Sequence, residues 1–230
     1  MSRIINLYQP ENELLKDSFD AIIVKIMQKR RNKNIKSILF CGTEPAVGTT
    51  TITINLALSL AQGKNKIILI DSDMRKLPEY KRLGETPLFG LSDYLVDKST
   101  LTEIINETNV NNLSYITCGL STGQSAKLLS SNNLEKLIPS LSKNFDLILF
   151  DSPSLGAVND ATVLSALVDG IVLVVELGKT TKSNISRSIQ NLSGAYDKIL
   201  GLLINKVDKP EYRVYLRNYD YFQNNKYVRK

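Results

Sequence analysis

The segment "CGTEPAVGTTT", Cys41 to Thr51, joins a short apolar run to a helical one and carries the residue types of a phosphate cradle. In the pattern GxxxxGK[ST], backbone N–H groups at a helix start hold phosphate, a lysine reaches the outer phosphates and a hydroxyl binds Mg²⁺. Gly48 and Thr50 fit this pattern. Thr49 stands where the lysine belongs, and the first glycine, Gly42, falls one position early. Two further stretches supply acids. "IILIDSDMR" ends in Asp71 and Asp73, with Arg75 after them, and "LILFDSP" ends in Asp151 before a turn-forming Ser-Pro. Strand alternation gives Asp71 and Asp73 similar directions if the strand persists. A hydrophobic strand ending in aspartate is one way to bring an acid to Mg²⁺. Any one of these acids alone is equally well a capped strand end. Together, three carboxylates facing a Gly-Thr-Thr turn form a hard-oxygen site suited to Mg²⁺ and phosphate.

Elements that could position these residues follow in order along the chain. Apolar residues at Leu14, Leu15, Ile22, Ile23, Ile26 and Met27 predict a helix over Asn12 to Gln28, and a basic linker follows. Strand-like runs start at Ser37, Lys66, Leu113, Asp146, Gly170 and Ile199. Helical runs cover about Thr50 to Ala61, a short stretch from Asp160, and Lys182 to Ala195. Several strands are apolar almost throughout, as expected for parallel strands covered on both faces. The predicted fold is α/β, a mostly parallel, doubly wound sheet of the P-loop NTPase type, with ligands at the carboxyl ends of the strands. Three parts are expected: 1–36, an N-terminal helix and linker; 37–209, the P-loop domain; and 210–230, a tyrosine-rich tail.

Composition narrows the chemistry. The chain has 230 residues, 43% of them hydrophobic, enough for one sizeable core. It has no histidine, which removes His-based nucleophile activation and most zinc sites. Cys41 and Cys118 are expected as buried thiols. No apolar run approaches the length of a membrane span, so a soluble, cytoplasmic protein is expected. The net charge of +6 gathers partly in Lys25, Lys29, Arg30, Arg31, Lys33 and Lys36 and partly in the tail. Such runs suit a polyanion, an acidic partner or an anionic membrane face, and suit a solvated surface equally well. Tyr212, Tyr215, Tyr219, Tyr221 and Tyr227 crowd the last 19 residues with almost no aliphatic neighbours. A segment of that composition cannot bury a core and is expected to be mobile. It reads as a run of phosphate acceptors, and no nucleic-acid partner is expected.

The whole chain resembles the bacterial tyrosine kinases, or BY-kinases, which work with capsule and exopolysaccharide export machinery. "GTEPAVGTT" is similar to their Walker A segment, "LIDSDMRK" to Walker A′, "DLILFDSP" to Walker B and "LGLLINKVD" to their final strand. The resemblance implies an ATP- or ADP-binding autokinase in which Pro45, Ala46, Val47, Gly48, Thr49, Thr50, Thr51 and Asn205 contact nucleotide. Thr50, Asp73 and Asp151 would serve Mg²⁺, with Asp73 also counted among the catalytic residues. Asp71 would act as base toward an incoming tyrosine of the tail, in trans. Implied partners are neighbouring copies, a membrane chain-length-regulator-type activator that recruits the chain to the membrane's inner face, and a cognate tyrosine phosphatase.

Two departures bear on activity. Losing a preorganised donor such as the Walker A lysine typically costs about 3 to 4 kcal/mol at the transition state. Arg75, Lys76 or a cation from a neighbouring subunit are the candidates to replace it. The E-x-x-R-x-x-R pattern that links BY-kinases into rings aligns with Asp17, Asp20 and Ile23, so both arginines are absent. A pseudokinase adaptor of the same pathway is therefore an alternative. A ParA/MinD-like positioning ATPase is another, although the early lysine of those proteins is replaced here by Glu44.

Overall fold

The computed structural model describes residues 4–7, 13–75 (backbone only at 13–15), 88–120, 122–192 and 194–207. Seven strands form one sheet: β1 (Ser37–Gly42), β2 (Ile67–Asp71), β3 (Asn106–Glu107), β4 (Leu113–Ile116), β5 (Leu147–Ser152), β6 (Gly170–Glu176) and β7 (Ile199–Asn205). Their order is β3-β4-β2-β5-β1-β6-β7, and every pairing is parallel except β3 with β4. β1, β2 and β5 are buried at every residue, which explains their unbroken apolar sequence. Connections leaving β1 and β2 run toward the β3 edge, whereas those leaving β5 and β6 run toward β7. The carboxyl ends of β1 and β5 therefore flank the switch point where ligands bind in such sheets.

Helices cover both faces: α1 (Glu13–Lys33), α2 (Thr49–Gln62), α3 (Leu91–Leu95), α4 (Leu101–Ile104), α5 (Ser125–Leu129), α6 (Asn132–Leu141), α7 (Asp160–Leu167) and α8 (Lys182–Asn191). Period-2 alternation divides the strands' side chains between two cores. Ile38, Phe40, Ile67, Leu69, Leu147 and Leu149 pack with Leu56 and Leu60 of α2 and Ile26 of α1. Leu39, Ile68, Ile70, Ile148 and Phe150 pack on the opposite side with α3, α6 and α7, through Leu91, Leu137 and Leu164 among others. Cys41 and Cys118 are free and buried, and burial pushes the Cys41 thiol up to about 12.

Several elements differ from the sequence expectation: β3, α3, α4, α5 and α6 were not predicted, α8 ends at Asn191 and not at Ala195, and α1 runs further than its predicted end. The basic stretch read as a linker continues α1 to Lys33, because Arg30 turns inward and donates to the carbonyls of Ile35 (3.2 Å) and Asp146 (2.6 Å). α6 was not expected, since Pro139 interrupts it. The proline is exposed, and Leu134, Leu137 and Leu141 on the opposite side are buried, so the apolar face holds the helix despite the lost N–H.

Asp169 fastens the start of β1 to the start of β6. Its Oδ2 accepts from Lys36 N–H (2.8 Å), Ser37 N–H (2.9 Å) and Ser37 Oγ (2.9 Å). Asp169→Ala should lower unfolding free energy by about 1–2 kcal/mol, the scale for charge-assisted bonds at an exposed carboxylate. Urea denaturation with an unchanged m-value is the check.

Candidate active site

The loop between β1 and α2 is shaped by what its glycines exclude. A Cβ at Gly42 would lie 2.7 Å from Val47 Cγ2 and 2.8 Å from Thr49 Oγ1, so the loop closes tightly on its own origin. Gly48, the N-cap of α2, has φ 92°, and a Cβ there would meet Asn205 Nδ2 at 2.3 Å. Ala46 also takes a left-handed φ of 63°, a conformation that costs a residue with a side chain. Ile52 N–H donates to Gly48 O (3.1 Å) and opens the helical ladder. The N–H groups of Thr49, Thr50 and Thr51 precede that bond and have no acceptor within the helix.

Alternation brings the acids to this loop. Ile67 and Leu69 of β2, like Leu147 and Leu149 of β5, face α2, so Asp71 and Asp151 face α2 as well. They are register partners on adjacent strands, 2% and 4% exposed. Asp73, 5% exposed, donates its N–H to Asp71 Oδ1 (3.0 Å), and Arg75 N–H reaches Asp73 Oδ1 at 3.3 Å. Ser72 Oγ donates to the Asp151 carbonyl at 2.6 Å, tying the two strand ends together. The phenol of Tyr115, on the neighbouring β4, is pushed up by burial and further by the carboxylates of Asp71 and Asp151.

A cleft of about 450 Å³ lies over these strand ends, lined by Gly48, Thr49, Thr50, Asp73, Arg75 and Ser152, with Glu44, Pro45 and Ala46 at the loop side. Asp71 and Asp151 sit beneath it. Val47 points into the core, Thr51 lies outside the lining, and Asn205 stands behind the loop with Nδ2 on Val47 O at 2.7 Å. A larger groove of about 600 Å³ between α1 and β7 is apolar, with Lys25 and Lys29 at its edge and no carboxylate in its lining, so it lacks the acids that a Mg²⁺ site uses. Tyr212, Tyr215, Tyr219, Tyr221, Tyr227 and Lys76 lie outside the described residues. Asp17 and Asp20 are exposed on α1, and Ile23 packs against the core.

The donors present fit nucleotide and Mg²⁺. Among the described residues no group of three or more acids, cysteines or histidines could hold a metal alone. Mg²⁺ commonly takes one or two carboxylates and completes its shell with phosphate oxygens and water, which matches Thr50 with Asp73 and Asp151. Ser152 Oγ is buried at the cleft with no hydrogen-bond partner among the described residues, as is Glu44 Oε1.

Among the described residues, two cations border the loop, and both are engaged. Arg75 holds Asp160 through Nε–Oδ2 and Nη2–Oδ1 contacts of 3.2 Å each, and Ser125 Oγ adds a third bond of 2.6 Å to this fully buried carboxylate. Lys206 donates to Ala46 O (2.9 Å) and to Glu176 Oε2 (2.9 Å). Asp160, Ser125, Glu176 and Lys206 were absent from the predicted site. "ND" before a helix and "NK" at a strand end were the local signals, and only the fold shows their partners.

An AAA domain family model matches residues 35–201. The tyrosine-protein kinase YwqD of Bacillus subtilis (strain 168) is 30% identical over 202 residues, covering 88% of this chain and 85% of its own. The kinase domain of the Escherichia coli tyrosine kinase ETK superposes with a TM-score of 0.79 at 27% identity, over 84% of this chain and 76% of its own. The septum site-determining protein MinD of Pyrococcus horikoshii OT3, complexed with Mg-ADP, shares the fold at 20% identity, with a TM-score of 0.61 over 76% of this chain and 73% of its own. With a P-loop at the end of β1, paired acids at the ends of β2 and β5, and kinase relatives matched over most of its length, this chain belongs to the bacterial tyrosine kinases.

Proposed function

We propose that this chain binds ATP in the cleft and transfers its terminal phosphoryl group slowly to tyrosines of the segment from Tyr212 to Tyr227 in a neighbouring copy. The observation that carries this reading is the register of Asp71 beside Asp151, directly beneath a cleft that Thr50 and Asp73 share with the glycine loop. Thr50 and Asp73, with Asp151 behind them, are the residues that would hold Mg²⁺, which offsets charge on the outer phosphates when bound. Asp71 is the base that accepts the phenolic proton as the tyrosine oxygen attacks. Its Oδ1 already receives the Asp73 N–H, which fixes the orientation of the carboxylate. Backbone N–H groups of the loop and the first turn of α2 hold the phosphates.

Turnover is slow in this reading because Thr49 brings no charge. Arg75 and Lys206, the cations nearest the loop in the described residues, are engaged with Asp160 and Glu176. That same observation favours a second reading, an adaptor that binds nucleotide and partners without phosphoryl transfer. In either case the pathway implied by the family is capsule or exopolysaccharide export. The partners would be a chain-length-regulator-type membrane protein that brings the chain to the cytoplasmic face, further copies of itself, and a phosphatase that resets the tyrosines. No helix among the described residues is long and apolar enough to cross a membrane.

Mass spectrometry after incubation with Mg²⁺ and ATP should find phosphate on Tyr212, Tyr215, Tyr219, Tyr221 or Tyr227, and none in Asp71→Asn. Absence of phosphate from the unaltered protein, with activator segments also supplied, would establish the adaptor instead. Thr49→Lys should raise the rate of phosphate incorporation about 10²- to 10³-fold, the usual worth of one such donor. A quantitative time course of intact mass checks it, and an unchanged rate would show that the missing lysine is not what limits transfer.

A further inference from the structure

The end of β7 grips the loop from behind. Lys206 Nζ lies 2.9 Å from Ala46 O and Asn205 Nδ2 lies 2.7 Å from Val47 O, so two successive carbonyls are drawn toward the same strand end. In a trans peptide the C=O and the following N–H point in opposite directions. Drawing the Ala46 and Val47 carbonyls back toward β7 therefore turns the N–H groups of Val47 and Gly48 away from it, toward the cleft. There they join the N–H groups of Thr49 and Thr50 at the start of α2. Left-handed φ at Ala46 (63°) and Gly48 (92°) gives the curled backbone of an anion-binding nest. A left-handed alanine persists only where its surroundings over-determine it. The surroundings here are Lys206, itself at φ 56°, and Glu176, whose Oε2 holds the ammonium at 2.9 Å and also faces Lys179 at 3.4 Å. Lys206 holds the Glu176 carboxyl below the usual carboxylate range.

Asn205 occupies the space a side chain at Gly48 would need, and its amide nitrogen is committed to the loop. We infer that Lys206, together with Asn205, is a positioning residue for the polyphosphate: it aims the loop's amides at the anion and acts on the phosphate chain, not on the nucleoside. This rests on the reading that the cleft binds nucleotide. With a neutral Thr49 in the loop, the phosphate site depends on backbone amides, and their aim depends on the β7 brace. Glu176 holds Lys206 in place.

The test is calorimetric titration of the full chain with Mg-ADP and, separately, with Mg-tripolyphosphate, which has no nucleoside. Lys206→Met keeps the aliphatic stem at a position about half exposed. It should weaken both ligands by the same factor, on the order of tenfold, while the melting temperature of the ligand-free protein stays near that of the unaltered chain. Glu176→Gln, which leaves the ammonium but removes its charged partner, should weaken both by a smaller common factor and keeps the test available should Lys206→Met fold poorly. Loss confined to Mg-ADP would overturn the inference and return Lys206 to the nucleoside. Unchanged binding of both ligands in the two variants would also overturn it. An unaltered chain that binds Mg-ADP but not tripolyphosphate would refute the cradle alone. One that binds neither would remove the nucleotide reading and the cradle with it.

Discussion

Parity along β2 and β5 constrains everything at the cleft. Ile67 and Leu69 must face α2 to bury their side chains, and so must Leu147 and Leu149; two residues further on, the same face receives Asp71 and Asp151. A slip of one residue in either strand would turn its apolar set to the other face and carry its aspartate away from the loop. Packing of the core therefore sets the position of the acids, and no separate device is needed to aim them. Asp73 is held to Asp71 by its N–H donating to Asp71 Oδ1, and Ser72 ties the ends of β2 and β5 together.

The loop itself is held by exclusion and by long-range bonds. Gly42 and Gly48 admit no side chain, Ala46 sits in a conformation that alanine avoids, and Asn205 and Lys206 reach it from more than 150 positions away in sequence. The guanidinium of Arg75 is drawn to the buried Asp160 at the start of α7, next to Ser125 of α5. The ion pair joins the A′ segment to the helices on the opposite face of the sheet from α2. A cation that lines the cleft is thus tied to the fold, and among the described residues the cations bordering the loop are engaged with other carboxylates.

Central strands and the glycine loop were legible in the sequence because their signals are local: unbroken apolar runs ending in Asp, and Gly-Thr-Thr before a helix. α6 was legible in principle from Leu134, Leu137 and Leu141, but Pro139 breaks the propensity pattern that those leucines override by burial. The end of α1 was misplaced because a run of Lys and Arg reads as solvated chain, while Arg30 is fixed by carbonyls of Ile35 and Asp146. Asp160 and Lys206 could not have been assigned from spacing. Each acquires its role only from a partner on another element, Arg75 in one case and Ala46 with Glu176 in the other.

In the proposed nucleotide site, backbone amides hold the phosphates at the switch point without a lysine in the loop. The most direct measurement is an amide ¹H–¹⁵N titration of the full chain with Mg-ADP. The resonances of Val47, Gly48, Thr49 and Thr50 should move together, saturate at one common ligand concentration, and shift in the direction of stronger hydrogen bonding. Saturable shifts confined to other parts of the chain, or no shift in these four, would contradict it.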